Sequence, residues 1–212
     1  MDIETVSKIA DVDRTVDTID RDGQPAKLLV AARSYPTSIE DLWDVLTDQE
    51  RIARWFAPVS GELRLGGRYQ VEHNAEGEVL ACEPPTHLDL TWEFGGMVSW
   101  VTVNLSGEPG GEEARLELRH VAHVPDELWK EFGPGATGLG WDLALLGLDL
   151  HLTAGAEASS DEVAAWDASD DARAFKEAAS GAWAHASIAA GTDRAEAEAA
   201  AERTTAFYTA TE

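Results

Sequence analysis

The chain has 212 residues and carries 40 Asp and Glu against 16 Lys and Arg, a formal net charge of −24. A surface that acidic repels phosphate backbones and anionic lipid heads, which sets aside roles on nucleic acid or at a membrane surface. A single cysteine, Cys82, excludes an internal disulfide and a cysteine metal cluster.

The charge is spread along the chain, at −4 for 1–26, −12 for 27–153 and −8 for 154–212. Dispersed acid describes a solvated surface better than a patch shaped for a cationic partner. No window approaches 18 apolar residues, and the N-terminal stretch lacks the basic and apolar blocks of a signal peptide, so a cytoplasmic protein is expected.

Residues 1–26 contain few large apolar groups in any period and are expected to form a loosely attached acidic leader with a turn at Asp22-Gly23. KLLVAARSY (27–35) alternates as a strand and stops at Pro36. Thr37 to Glu40 fits a capping box, and Ile39, Leu42, Trp43 and Leu46 follow at helical spacing, which predicts a helix over 38–47. A second short helix is expected over 48–55, presenting Ile52, Trp55 and Phe56 to the same core.

Beyond residue 58 the period changes to two. Strands are expected at 61–65, 68–74, 77–83, 86–94, 97–107 and 112–123, with turn residues such as Gly66-Gly67, Pro84-Pro85 and Gly95-Gly96 between them. Short links between successive strands imply an antiparallel meander. Leu88, Leu90, Trp92 and Phe94 alternate with His87, Asp89, Thr91 and Glu93, so one face is apolar and the other wet.

Pro125 opens the next helix, and Gly133-Pro134-Gly135 interrupts it. Residues 136–153 are the most apolar of the chain; the exceptions Asp142 and Asp149, seven apart, mark an expected solvated strip. In 154–212, 22 of 59 residues are alanine. Ser159-x-x-Glu162 and Asp193-x-x-Glu196 read as helix starts, and Phe175, Ala179, Trp183, Ala186 and Ala190 form a thin stripe for close packing. Two or three helices are expected there, docked on the domain or on a second copy of the chain.

The order of strand, two short helices, six-stranded meander and long C-terminal helix is that of a helix-grip fold. The residues carry a resemblance too: Trp43, Trp55-Phe56, Gly66-Gly67 before Tyr69, Gly77-Glu-Val, Pro84-Pro85-Thr-His-Leu88, Leu90-Thr-Trp92 and Gly140-Trp141 leading Leu145 to Leu148. The chain resembles the SRPBCC superfamily, which includes START domains and polyketide cyclases. Within it, the chain is similar to the branch named after the activator of Hsp90 ATPase homologue 1 (AHSA1), in its short bacterial form. The resemblance covers about 27–153, leaving a leader (1–26) and a helical extension (154–212). It implies an α+β, START-like or Bet v 1-like fold, with a curved antiparallel sheet around a long helix and an apolar cavity between them. Co-chaperone activity is not expected, because the eukaryotic activators carry a separate N-terminal chaperone-binding domain.

A small hydrophobic molecule is therefore the expected partner, held without reaction, with Trp55, Tyr69, His73, Trp92, Phe94, His120, Trp141 and Leu145 as candidate ligand contacts. Trp92 and Trp141 are the best placed; the phase of Trp100 conflicts with Val101 and Val103. His120 falls on the apolar side of its strand. It reads either as a neutral histidine satisfied in the core or, in a cyclase or dehydratase-like enzyme, as the group that moves a proton. A third reading is an interaction module that forms a homodimer through its tail. No catalytic motif, cofactor site, metal site, nucleic-acid surface or membrane segment is expected. The glycine-rich 133–140 lacks the lysine and strand of a phosphate loop and is expected to be a kink.

Overall fold

A computed structural model describes residues 5–107, 110–155 and 160–210. Eight strands form one sheet in the order β1-β2-β8-β7-β6-β5-β4-β3. They are β1 (Asp13–Arg21), β2 (Gln24–Tyr35), β3 (Val59–Gly61), β4 (Arg68–Val71), β5 (Glu76–Glu83), β6 (His87–Phe94), β7 (Met97–Gly107) and β8 (Ala114–Ala122). The pairs from β3 to β8 are all antiparallel. The helices are α1 (Ile39–Thr47), α2 (Gln49–Trp55), α3 (Asp126–Phe132), α4 (Gly135–Ala154), α5 (Ser160–Asp167), α6 (Asp170–Ala189) and α7 (Arg194–Thr209). This is the α+β helix-grip order.

The described residues fall into two compact units, one of 32–107, 110–122 and 147–155, the other of 5–31, 123–146 and 160–210.

In the first unit the meander arises from two-residue alternation, interrupted once by a register shift between Val79 and Ala81 of β5 that leaves Val79 and Cys82 on one face. Residues directly opposite one another share a face. Val79 faces Leu90, Leu90 faces Val101, and Val101 faces His120, so these four form one row across four strands. Cys82, Leu88, Val103 and Leu118 form the next row, and Trp92, Ser99 and Ala122 the row beyond. The opposite face carries Asp89, Thr102 and Arg119 in one row, and His87, Asn104 and Glu117 in another. Trp100 lies on this polar face between Thr91 and Val121, as its phase required. Helices α1 and α2 follow β2. The N-cap of α1 is Ser38, whose hydroxyl accepts from the Asp41 amide, rather than Thr37; the Thr37 hydroxyl donates to the Asp41 carboxylate instead. Arg51 ties the two helices together through Asp41 and Asp44, at 2.8 and 2.7 Å.

The strand expected at 61–65 is reduced to β3, which ends at Gly61; Arg64 and Gly67 close backbone turns there instead. The end of α4 from Gly147 to Ala154 lies in this unit, and Asp149 on it accepts from the Arg33 guanidinium of β2 at 2.6 Å. Both side chains are about 5% exposed.

The second unit corrects the reading of the ends of the chain. Residues 13–21, expected in a loose leader, form β1, joined to β2 by Asp22-Gly23 with positive φ at both residues. That is the backbone of a hairpin turn whose twist suits its strands. The pattern was hard to see because Arg14 and Arg21 hold half-buried positions of β1 beside Val16 and Ile19. Asp142, expected in a solvated strip, is 2% exposed. Arg14 Nε and Nη2 donate to its carboxylate at 2.9–3.2 Å, and the Trp183 indole donates to it at 2.9 Å. The remaining Arg14 nitrogen donates to the carbonyls of Ile9 and Val12. Burial pushes the Asp142 carboxyl up to about 6, against the lowering effect of Arg14 and Trp183.

Helix α6 packs against the chain's own β1, α7 and the short 3-10 helix Thr5–Asp11, and its Phe175, Ala179, Trp183 and Ala186 are buried while Ala190 is exposed. The apolar stripe is thus largely covered within the chain. A Cβ at Gly138 of α4 would overlap the Trp183 indole, so glycine lets the two pack closely. Asp193 caps α7 as expected, accepting from the amides of Ala195 and Glu196. Arg203, Thr204 and Tyr208 of α7 donate to carbonyls of Lys130, Glu131, Phe132 and Ala136, which gives partners to carbonyls at the junction of α3 and α4. The helix start proposed at Ser159 lies outside the described residues; α5 begins at Ser160.

Candidate ligand-binding face

The apolar side of the sheet gathers two of the predicted contacts directly. Tyr69 on β4 packs with Val71 and Val79, and against this group lie Trp92, Leu88, Leu90, Cys82 and Phe56. Tyr69 can approach so closely because its partner across the ladder is Gly77, where a Cβ would meet the ring at 2.9 Å. Its phenol donates to the Thr91 carbonyl at 2.7 Å, and burial pushes the hydroxyl's pKa well up. Tyr69 is therefore a fixed neutral wall. Trp55 reaches the same neighbourhood through Phe56, 5.5 Å away ring to ring, while its indole donates to the Val45 carbonyl.

His120 closes the row that begins at Val79. It is 7% exposed, between Leu118 and Ala122 on the same face of β8. Burial holds its pKa down at about 4, so the imidazole is neutral at ordinary pH. Ser99, which the sequence reading passed over, is buried on this face and donates to the Trp92 carbonyl at 3.0 Å. A buried serine in an alternating apolar strand was the signal available for it.

Two predicted contacts are exposed instead. His73 was expected in phase with Tyr69 and Val71, but β4 ends at Val71 and His73 sits in the following turn with φ 55°. Its side chain is 92% exposed. Alternation cannot be carried past the end of the ladder. Phe94, at the tip of the β6–β7 hairpin opposite Met97, is 56% exposed. In the second unit, Leu145 is buried and Trp141 half-buried on α4.

Exposure along β6 is the distinctive feature. Val79 and Val101, on the strands either side of it, are 3% and 2% exposed. Leu88, Leu90 and Trp92, between those strands and on the same face, all remain half-buried, as does Val103. An interior strand packed solidly by its own chain would hide these side chains. These side chains keep part of their apolar surface accessible.

The polar face is built differently. Asn104 bridges His87 at 2.8 Å and Glu117 at 3.2 Å; with Asp89 also at hand, the His87 imidazole is raised from its ordinary value. Arg68 pairs with Glu93 at 3.0 Å. Among the described residues no three His, Cys, Asp or Glu side chains are grouped to hold a metal ion, and no helix is long and apolar enough to cross a membrane.

A helix-grip sheet with one apolar, partly accessible face defines a domain of the START-like superfamily. The chain belongs to the activator of Hsp90 ATPase homolog 1-like family, whose sequence profile matches residues 36–153. It is similar to CalU16 of Micromonospora echinospora, known from solution and crystal structures. The solution structure gives 27% identity over 85% of this chain and 97% of that one, with a TM-score of 0.68. The crystal structure gives 28% identity over 82% and 97%, with a TM-score of 0.62. DynU16, a protein of the dynemicin biosynthetic locus, shares the fold at 23% identity and a TM-score of 0.55, over 63% of this chain and 50% of that one. No curated relative matches the chain. The fold is one associated with hydrophobic-ligand binding and with cyclase-like activity on polyketides.

Proposed function

We propose that the chain binds a small hydrophobic molecule against the apolar face of its sheet, without transforming it. The half-buried side chains of β6 carry this reading: apolar surface kept accessible at an interior strand is surface a ligand covers. Covering it gains roughly 25 cal/mol per Å² of apolar area. Tyr69 and Ser99 have their hydroxyls committed to backbone carbonyls and serve as walls.

The enzyme alternative finds less support. An imidazole with a pKa of about 4 has no proton to give at neutral pH and is a weak base.

Native mass spectrometry of gently purified protein, together with titration by the uncharged dye Nile red, tests the reading. Saturable dye binding is expected, with quenching of tryptophan emission that is reduced in Trp92→Phe. Leu90→Trp, which fills the space before β6, should abolish dye binding while the circular dichroism spectrum is retained. Absence of both bound mass and saturable dye binding sinks the proposal.

A further inference from the structure

Across β4 to β8 the apolar face can be read position by position from the strand register. Tyr69 and Val71 supply it from β4; Gly77, Val79 and Cys82 from β5; Leu88, Leu90, Trp92 and Phe94 from β6. Strands β7 and β8 continue it from Ser99 and Val101 to Leu118 and His120. None of these is Asp, Glu, Lys or Arg. Every such residue on these five strands falls on the polar face or at a strand end. The buried guanidinium of Arg33 on β2 is compensated by Asp149 at 2.6 Å.

From this arrangement we infer that the site selects an uncharged ligand, rejecting anionic and cationic amphiphiles of the same chain length. The inference rests on the binding reading above and specifies its ligand. A charged head group brought onto this face loses its hydration and meets no opposite charge on the sheet, a combination that costs far more than one hydrogen bond. A neutral head needs one donor or acceptor at most. With the His120 imidazole uncharged at neutral pH, strands β4 to β8 offer a carboxylate no cation, and the Arg33 guanidinium of β2 is already paired with Asp149.

The expected discrimination follows from ionisation. At pH near 7.4, about one aliphatic carboxyl in a thousand is protonated and about one alkylammonium in a thousand is neutral. If only neutral forms bind, each ion is weaker than the matching alcohol by up to about 1,000-fold.

The test is displacement of Nile red from the full chain by decanol, decanoate and decylammonium at pH 7.4, in about 0.1 M and about 1 M salt. The strongly acidic surface by itself would repel decanoate and attract decylammonium, and that effect fades as the screening length falls from about 10 to about 3 Å. Expected is displacement by decanol with both ions at least 100-fold weaker at either salt concentration. An ion within tenfold of decanol overturns the inference while leaving the binding reading intact, as does a preference that vanishes in high salt. If the dye binds saturably and none of the three displaces it, the inference falls and the binding reading stands; if the dye itself does not bind, the binding reading falls and takes the inference with it.

Discussion

Replacing His120 by leucine should remove a specific acid sensitivity from the fold. His120 is 7% exposed, and its pKa falls from 6.5 to about 4 on folding because burial disfavours the imidazolium. The unfolded chain therefore binds a proton more readily than the folded one between these two values. A base depressed on folding contributes stability that is fully present above about 6.5 and is lost as pH falls through about 4. The full loss is roughly 3 kcal/mol, accumulating at about 1.4 kcal/mol for each pH unit within the window. Leucine has a similar volume and cannot be protonated. Urea unfolding followed by tryptophan emission at pH 7.5, 6.5, 5.5 and 4.5 should show the parent losing stability faster than His120→Leu. The carboxylates titrate in both proteins, so the difference between the two profiles isolates this group. Parallel profiles would refute the reasoning and mean that the imidazole is either hydrated or charge-compensated in the folded state.

Two more outcomes follow from the buried charges and the packing of the tail. Arg33→Met should cost about 3–5 kcal/mol in urea unfolding, because it leaves Asp149 buried without its cation, while Arg33→Met combined with Asp149→Leu should regain most of that loss. A double variant no more stable than the single one would show that the pair is not the coupled unit described. Gly138→Ala should lower stability by roughly 1–3 kcal/mol through overlap with the Trp183 indole, despite alanine's better helix propensity. In Gly138→Ala combined with Trp183→Phe, where a smaller ring meets the new methyl group, the two costs should be less than additive, and simple additivity would refute the contact.

Much of the candidate site was legible because a two-residue period is a direct record of which face a side chain occupies. Tyr69, Trp92 and His120 were all placed on the apolar face from alternation, and Trp100 was marked as out of phase, where the ladder puts it. The errors occur where the period stops applying. His73 lies two residues beyond the end of β4, in a turn that reverses its direction. β1 was missed because charged residues occupy its half-buried positions.

Asp142 and Asp149 show the sharper limit. On a helix apolar all round, two acids seven residues apart are compatible with one wet strip or with two separate buried partners. The partners, Arg14 and Arg33, lie 128 and 116 residues away in the chain. No local pattern links such positions.

The sequence by itself determined the meander, the break between α3 and α4, the helical tail and the family, since each depends on short-range periodicity or on turn residues read in order. Only the tertiary structure decided that the tail's stripe is largely covered by its own chain, that both helix acids are buried against arginines, and that β6 keeps apolar surface accessible. Burial and ion pairing depend on what another segment brings into contact, and accessible space depends on what none does; both are set by the packing of distant segments.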